Sequence, residues 1–207
     1  MREAILIPLG YLLGSMPWGY WIPLVFARVD IRKLGSGNVG ATNVWRTLGF
    51  KYGLPVALLD ILKGLAAGLL GTYVGDPTIG VLAGTAALLG HWRPLFLGFE
   101  KGGKIVAVTG GVGLAVAPIA SLAAALVWIL IFLLTRYASL ASLVAGVALP
   151  VFAFAMGASW AVMGFTMGAG LAIVVLHRAN VARLVRGEES RFDFSGWSRR
   201  RSSAPQA

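Results

Sequence analysis

Thirty consecutive residues without a charge, "IVAVTGGVGLAVAPIASLAAALVWILIFLL" at positions 105–134, decide the fold of this chain. About 20 apolar residues cross a bilayer as an α-helix, so the stretch is long for one span and short for two. Pro118 lies near its middle and disfavours an uninterrupted helix. We therefore interpret the stretch as two short spans that are joined by a tight turn.

The composition of the whole chain is typical of a membrane protein. The chain has 207 residues, of which 57% are hydrophobic and 13% are charged, and its mean hydropathy is +0.79. A soluble domain carries about 25% charged residues. The absence of cysteine excludes a disulfide framework, a thiolate nucleophile and a cysteine-ligated metal site. Because backbone groups in lipid need internal partners, we expect the spans to be helical.

Polar breaks divide the chain into seven predicted spans within one integral membrane domain, residues 1–193. Residues 194–207 are rich in Ser and Arg and are predicted to be a disordered basic tail. The first span is expected to be retained, since no clear signal-peptide cleavage site follows it. The predicted spans are residues 4–27, 53–74, 78–90, two within 105–134, 138–157 and 159–176.

The distribution of positive charge predicts the orientation. With seven spans, every Lys and Arg except Arg2 is assigned to one side of the membrane. Because Lys and Arg concentrate on the cytoplasmic side, this places the N-terminus outside and the C-terminus in the cytoplasm. A single span at 105–134 would break the segregation, which favours seven spans over six.

The first polar segment, "GSGNVGATNVWRTLG" at 35–49, has the features of a phosphate site. Its glycines let backbone N–H groups approach an anion, and a helix that begins at Thr42 and Asn43 would favour negative charge at its N-terminus. Arg46 adds a guanidinium that can bind phosphate with two hydrogen bonds. The alternative is a flexible loop of turn residues.

The second segment, "EKGGKIVAVTGG" at 100–111, places two lysines around a Gly-Gly pair. Both ammonium groups and the loop amides can then face one site. The spacing of a Walker loop is absent, so nucleotide hydrolysis is not supported. The alternative is that the lysines anchor the loop at the membrane surface.

The third segment, "HRANVARLVRGEE", begins directly after the last predicted span. His177, Asn180 and Arg183 follow a three-residue spacing and share one face of a helix. This favours a polar site, whereas the arginines also suit a basic amphipathic helix that lies on anionic lipid.

Ionisable residues also occur within and beside the spans. Asp60 and Lys63 are three residues apart in the second span, and we interpret them as a neutral pair that orients the first loop. Function is the alternative, because such pairs are costly inside a membrane. His91 lies alone at the end of a span, where capping or packing is the favoured role.

Six blocks together carry a resemblance to a known family: "YLLGSMPWG", "GSGNVGATNVWRTLG", "DILKG", "GHWRPLFLGFEKGGK", "RYASLAS" and "HRANVARLVRGEE". From residue 10 to about 192 the chain resembles the bacterial acyl-phosphate:glycerol-3-phosphate acyltransferases, the PlsY family. The resemblance implies a multi-pass enzyme of the bacterial plasma membrane with its active site facing the cytoplasm. It implies transfer of a fatty acyl group from acyl phosphate to the sn-1 hydroxyl of glycerol 3-phosphate, giving lysophosphatidic acid and phosphate. We expect no metal, no other cofactor and no nucleic-acid partner; the oligomeric state is open.

The resemblance also implies the site residues. The polar catalytic residues would be Ser36, Arg46, Lys104, His177 and Asn180. His177 is the one convincing candidate for a general base, and a substrate phosphate oxygen is the alternative acceptor of the hydroxyl proton. The substrate- and phosphate-binding residues would be Gly37, Asn38, Gly40, Thr42, Asn43, Lys101, Gly102, Gly103, Ser142 and Glu189.

The chain departs from the family pattern in the second segment. The family usually reads "FKGGKGVAT", whereas here Ile105 occupies the place of the glycine after the second lysine. A β-branched residue strongly disfavours a positive φ. We therefore expect Ile105 not to adopt a positive φ easily, and the sequence leaves the backbone path of this loop open.

Two other classes of protein share some of these features. A transporter for an organic phosphate would have a basic cytoplasmic face, but it should also show polar midplane residues and inverted repeats, and no repeat is detected. A lipid-binding structural protein would explain the basic tail but not Asn38, Asn43 or Lys104. Uptake of glycerol 3-phosphate into sealed vesicles without acyl transfer would favour the transporter, and release of phosphate from acyl phosphate would favour the enzyme.

Overall fold

The computed structural model describes residues 2–74 and 76–192, with side chains from Ile5 onward. Within these residues the regular structure is helical and no strand occurs, which confirms the all-helical prediction. The predicted tail at 194–207 lies outside the described residues. Two short 3-10 helices cover Ile31–Lys33 and Leu95–Leu97. The α-helices are α1 (Arg2–Ser15), α2 (Trp18–Ala27), α3 (Ala41–Leu48), α4 (Phe50–Val74), α5 (Pro77–Trp92), α6 (Val106–Val116), α7 (Pro118–Thr135), α8 (Ala138–Ala155), α9 (Trp160–Leu176) and α10 (Arg178–Val185).

Several of these helices are long and apolar enough to cross a bilayer. In the described residues α4, α7 and α8 meet this condition alone, and α9 with α10 forms a further candidate that is bent by 56°. The predicted interruption of 105–134 is confirmed, because α6 ends at Val116 and Pro118 begins α7 after one intervening residue. Length and composition thus support three or four crossings, and the count of seven stays a prediction.

The predicted first span, 4–27, is not one continuous helix. It divides into α1 and α2 at Met16 and Pro17. Proline has no backbone N–H, so it cannot continue the hydrogen-bond ladder of α1. At the break the Met16 carbonyl accepts from the Trp18 N–H at 3.1 Å, and the Lys63 ammonium of α4 also donates to it at 2.8 Å.

Glycines let the helices around α4 approach closely. A Cβ added to Gly14 of α1 would lie 2.1 Å from the Ala87 oxygen of α5. A Cβ added to Gly64 of α4 would lie 2.4 Å from the Val108 oxygen of α6. Such close approach through small residues is how helices associate in lipid, where no hydrophobic effect drives them together. It brings α1, α4, α5 and α6 into one closely packed group.

A second group consists of α7, α8 and α9. An apolar cluster that includes Ala67, Val108, Phe165 and Ile173 joins α9 to the α4–α6 group. Hydrogen bonds then tie the polar segments together: Asn38 to Gly102, and Lys104 to Asn180. The fold therefore gathers the three polar segments of the sequence into one place.

The close contact between α1 and α5 gives a prediction about stability. We expect Gly14→Ala to lower the unfolding temperature of the purified protein in detergent, because the new methyl group would meet the backbone of Ala87. Overpacking of this kind costs about 1–3 kcal/mol. Gly164→Ala in α9 is the matched control, since a Cβ there meets nothing within 4 Å. An equal change in both variants would contradict the prediction.

Candidate active site

The polar segments and the helices enclose one cavity of about 470 Å³. One part of its wall is polar, and another is apolar and comes from α6 to α9, with side chains such as Leu114, Leu122, Ile129 and Leu149. The cavity can therefore hold a molecule that has both a charged end and a hydrocarbon chain. The predicted site residues that line it are Ser36, Asn38, Gly40, Thr42, Asn43, Arg46, Lys104, Ser142, His177, Asn180 and Glu189.

The amide of Asn43 shapes the first polar loop. Its Oδ1 accepts from the Ser36 backbone N–H at 2.9 Å, and its Nδ2 donates to the carbonyls of Leu34 at 3.0 Å and Asn38 at 2.9 Å. Asn43 is buried, so these bonds replace contacts with water. Its main role in the described geometry is to hold the loop that presents Ser36 to the cavity.

The side chain of Asn38 links the first polar loop to the second. Its Oδ1 accepts from the Gly40 N–H at 2.8 Å, directly before α3, and its Nδ2 donates to the Gly102 carbonyl at 3.3 Å. Asn38 thus fixes the start of α3 relative to the loop that carries Lys104.

The second loop is arranged differently from the sequence-based expectation. The N–H of Gly102 donates to the Trp92 carbonyl at 2.9 Å, and that of Gly103 donates to the His91 carbonyl at 3.0 Å. These amides therefore pair with the end of α5 instead of facing a ligand. Lys101 is exposed, and among the described residues the cavity wall contains Lys104 but neither Lys101 nor the glycines at 37, 102 and 103.

The expectation that Ile105 avoids a positive φ is wrong. Its φ is 60°, in the left-handed region, and its side chain is buried in the apolar cluster with Val108 and Val112. A non-glycine residue in such a region costs on the order of 1–3 kcal/mol. Burial of the isoleucine side chain offsets this cost, and the backbone keeps the turn that leads from Lys104 into α6.

Glu189 is the centre of a hydrogen-bond network. Its Oε1 accepts from Ser139 Oγ and from Asn180 Nδ2, each at 2.7 Å, and its Oε2 lies 2.7 Å from Arg183 Nε. Burial alone would raise the pKa of Glu189, but these hydrogen bonds and the Arg183 charge hold it below its usual value. Both oxygens of the ionised carboxylate are thus engaged by protein groups.

Lys104 and Arg46 are the cations best placed to meet an anionic ligand. The Lys104 ammonium donates to Asn180 Oδ1. Burial, followed by repulsion from Arg183, lowers the pKa of Lys104 to about 8, although Glu189 opposes the shift. Arg46 stacks over the Phe192 ring, with its Cζ 5.2 Å from the ring centre, and its buried Nε has no hydrogen-bond partner among the described residues. Both side chains line the cavity.

His177, the first residue after α9, is buried beside Lys104 in the cavity wall. Its Nδ1 lies 2.8 Å from the Ile173 carbonyl oxygen. Since a carbonyl only accepts, Nδ1 carries the proton of the neutral ring and Nε2 is left as an acceptor. Burial, and then the Lys104 charge, lower the pKa of His177 to about 4, so the ring is neutral at pH 7.

Two residues of the Glu189 network were not among the predicted site residues. Ser139 and Arg183 both bond to Glu189 and line the cavity. Arg183 shares the three-residue spacing of His177 and Asn180, which was the signal for it. Ser139 precedes Ser142 by three residues on α8, where the hydroxyl of Ser142 donates to the Ala138 carbonyl and accepts from Trp128.

The predicted pair of Asp60 and Lys63 is confirmed. Lys63 Nζ lies 2.8 Å from Asp60 Oδ1, and both side chains are buried in α4. The hydrogen bonds of Lys63 in the described residues go to the Met16 carbonyl, at the break between α1 and α2, and to the imidazole of His91, and not to the first polar segment. Asp60 and His91 also line the cavity.

Comparison with known proteins gives the same family throughout. The sequence model of the glycerol-3-phosphate acyltransferase family matches residues 4–187. The glycerol-3-phosphate acyltransferase of Desulforudis audaxviator is 49% identical over 195 residues, which cover 94% of this chain and 98% of that protein. The enzyme of the same name from Aquifex aeolicus is 44% identical over 194 residues, covering 93% of this chain and 100% of that protein.

Solved structures agree with the sequence comparison. The crystal structure of PlsY, an integral membrane glycerol 3-phosphate acyltransferase, in its glycerol 3-phosphate form has a TM-score of 0.90 and 42% identity, and covers 95% of this chain and 98% of that chain. The crystal structure of the lysophosphatidic acid form has a TM-score of 0.86 and 41% identity. The match covers 93% of this chain and 96% of that chain. The family model covers most of the chain, including the first two polar segments and the third as far as residue 187, and this integral membrane protein therefore belongs to the glycerol-3-phosphate acyltransferase family.

Proposed function

We propose that this chain transfers a fatty acyl group from an acyl phosphate to the sn-1 hydroxyl of glycerol 3-phosphate, giving lysophosphatidic acid and inorganic phosphate. The reaction takes place in the cavity between the three polar segments and α6 to α9. Membership of the glycerol-3-phosphate acyltransferase family supports the acyl acceptor and the type of reaction. Acyl phosphate as the donor rests on the chemistry of the cavity.

The observation that carries the proposal is the division of the cavity wall into a cationic part and an apolar part. Arg46, Lys104 and Arg183 provide three cations at the polar part, and Leu122 and Leu149 belong to the apolar part. Both substrates carry a phosphate, and the donor also carries a fatty chain. The cations suit the phosphates, and the apolar wall suits the chain.

The chemistry needs positioning more than it needs a covalent nucleophile. The hydroxyl oxygen of glycerol 3-phosphate attacks the acyl carbonyl carbon, a new ester bond forms, and the bond between that carbon and the phosphate oxygen breaks. Phosphate is a good leaving group, and cations held in a buried site stabilise the charge that develops on it. Lys104 and Arg46 are the residues we assign to this role, with Ser36 as a further polar contact.

A phosphate oxygen is the better acceptor for the hydroxyl proton. The pKa of His177 is lowered to about 4 by burial and by Lys104. The second pKa of a phosphate monoester is about 6. The proton therefore moves to a phosphate oxygen, while the neutral His177 accepts a hydrogen bond at Nε2 and Asn180 holds Lys104 in place.

We further propose seven spans, with the N-terminus outside the bacterial plasma membrane and the site facing the cytoplasm. The charge distribution supports this orientation, because the basic polar segments all lie on the side assigned to the cytoplasm. The helix break before Pro118 supports two crossings within residues 105–134.

Removal of either cavity cation tests the site. We expect Lys104→Ala and Arg46→Ala each to lower kcat/KM by more than tenfold, since each loses a charge-assisted hydrogen bond of about 1.5–3 kcal/mol and tenfold corresponds to about 1.4 kcal/mol. Phosphate release by the purified variants with palmitoyl phosphate and glycerol 3-phosphate measures the effect. Lys101→Ala is the matched control in the same loop, because that side chain lies outside the cavity. Near-normal rates in both cavity variants would remove these residues from the site.

The lowered pKa of Lys104 predicts an alkaline limb in the pH profile. Below about pH 8 the ammonium is charged and binds phosphate, and above it the neutral amine does not, so we expect kcat/KM to fall as the pH rises through about 8. Lys104→Arg keeps its charge over this range, so its rate, though lower, should lack that limb. The same limb in Lys104→Arg would assign it to another group.

Single cysteines test the orientation, because the chain has none of its own. We expect Thr78→Cys, at the exposed start of α5, to react with an impermeant maleimide from outside intact cells. Lys33→Cys, exposed just before the first polar segment, should react only after the cells are opened. The reverse pattern would overturn the proposed orientation.

A further inference from the structure

We propose that Asp60, Lys63 and His91 form a buried polar cluster that positions Lys104 for acyl transfer. The three residues act through the backbone of the second loop and are positioning residues. The inference rests on the proposed function of the cavity, and it adds a role for residues that the reaction itself does not use.

Three acceptor atoms surround the Lys63 ammonium. It lies 2.8 Å from Asp60 Oδ1, 2.8 Å from the Met16 carbonyl oxygen and 2.9 Å from His91 Nδ1. The contacts with Met16 and His91 are hydrogen bonds, and the contact with Asp60 is an ion pair. Lys63 thereby joins α4 to the break between α1 and α2 and to the end of α5.

The contact with Lys63 fixes the tautomer of His91. Because a lysine ammonium only donates, Nδ1 of His91 must accept, and the proton of the neutral imidazole then resides on Nε2. Asp60 Oδ1 lies 3.7 Å from the same Nδ1 and keeps the ammonium paired beside it. The ring is therefore held in one orientation by a charged donor.

His91 holds the second loop at two points. Its carbonyl oxygen accepts from the Gly103 N–H at 3.0 Å. Its ring edge lies directly against the same glycine, since a Cβ added to Gly103 would be 2.0 Å from Nε2. A fixed ring beneath Gly103 fixes the backbone from which the next residue, Lys104, extends toward Asn180.

The cost of the cluster argues for a role in function. A buried ion pair is often no more stable than well-packed apolar residues of similar size. An ionisable pair within a span is expensive and typically serves function. Packing alone between α4 and α5 is achieved elsewhere by glycine, as at Gly71, where a Cβ would meet Gly80 at 2.6 Å.

A double-mutant cycle tests the proposal. Asp60→Asn combined with Lys63→Met removes both charges together, so no unpaired charge is buried. We expect this variant to lower kcat/KM at least tenfold when Lys104 is present, and less than twofold when Lys104 is already alanine. If the cluster acts through Lys104, the effects of the two changes on kcat/KM do not add. Equal losses in both backgrounds, or no loss with Lys104 present, would overturn the proposal.

The pH profile gives a second readout that loss of stability would not move. When the loop is no longer fixed, the Lys104 amine becomes more exposed, and we expect the alkaline limb to move from about pH 8 toward higher pH. An unmoved limb in a variant with reduced activity would contradict positioning through Lys104.

Two further variants serve as a replacement and as a control. His91→Asn takes the place of the charge-free variant if that protein does not fold; it keeps an acceptor near Lys63 but removes the ring edge beneath Gly103, and the same cycle and outcomes apply. Ser15→Ala is the control, since it removes a buried hydroxyl outside the cluster and the cavity and should leave activity unchanged. Absence of acyl transfer in the unmodified chain would refute the proposed function itself, which separates that failure from additive losses in an active enzyme.

Discussion

The carboxylate of Glu189 is the constraint on which the polar end of the molecule depends. Three cations, Arg46, Lys104 and Arg183, line one cavity, and they repel one another there. Glu189 provides the compensating charge from the segment that follows α10. It reaches α8 through Ser139 and α10 through Asn180 and Arg183, so α8, α10 and the second loop are set relative to one carboxylate.

The position of this network follows from the way the helices pack. In lipid, close helix contacts depend on small residues, and the glycines of α1, α4, α5 and α6 supply them. The closely packed group carries the loop of Lys104 on one side of the cavity, and α10 with the segment that follows it brings Asn180 and Glu189 to the other. The cavity between the two groups is consequently polar where the loops meet and apolar where helices form the wall.

Much of this arrangement could be predicted from the sequence, and the reasons for the misses are physical. Hydropathy and Pro118 located the helices, and donor-rich motifs located most of the cavity wall. Partners that are distant in the chain carry no such signal: Ser139 and Glu189 are 50 residues apart, and Lys63 and His91 are 28 apart. The positive φ of Ile105 was not expected from its residue type, because burial of the side chain overrides the intrinsic preference of the backbone.

The pairing of Asp60 with Lys63 also bears on how the chain enters the membrane. Both residues belong to α4 and are three positions apart, so they can neutralise each other as soon as that helix forms. The buried middle of α4 therefore carries no net charge, although Lys51 lies near the start of the helix, and this lowers the cost of placing ionisable groups within a bilayer. The same ammonium also contacts the Met16 carbonyl and the His91 ring, so the lysine that is costly within a bilayer also links α4 to the break between α1 and α2 and to α5.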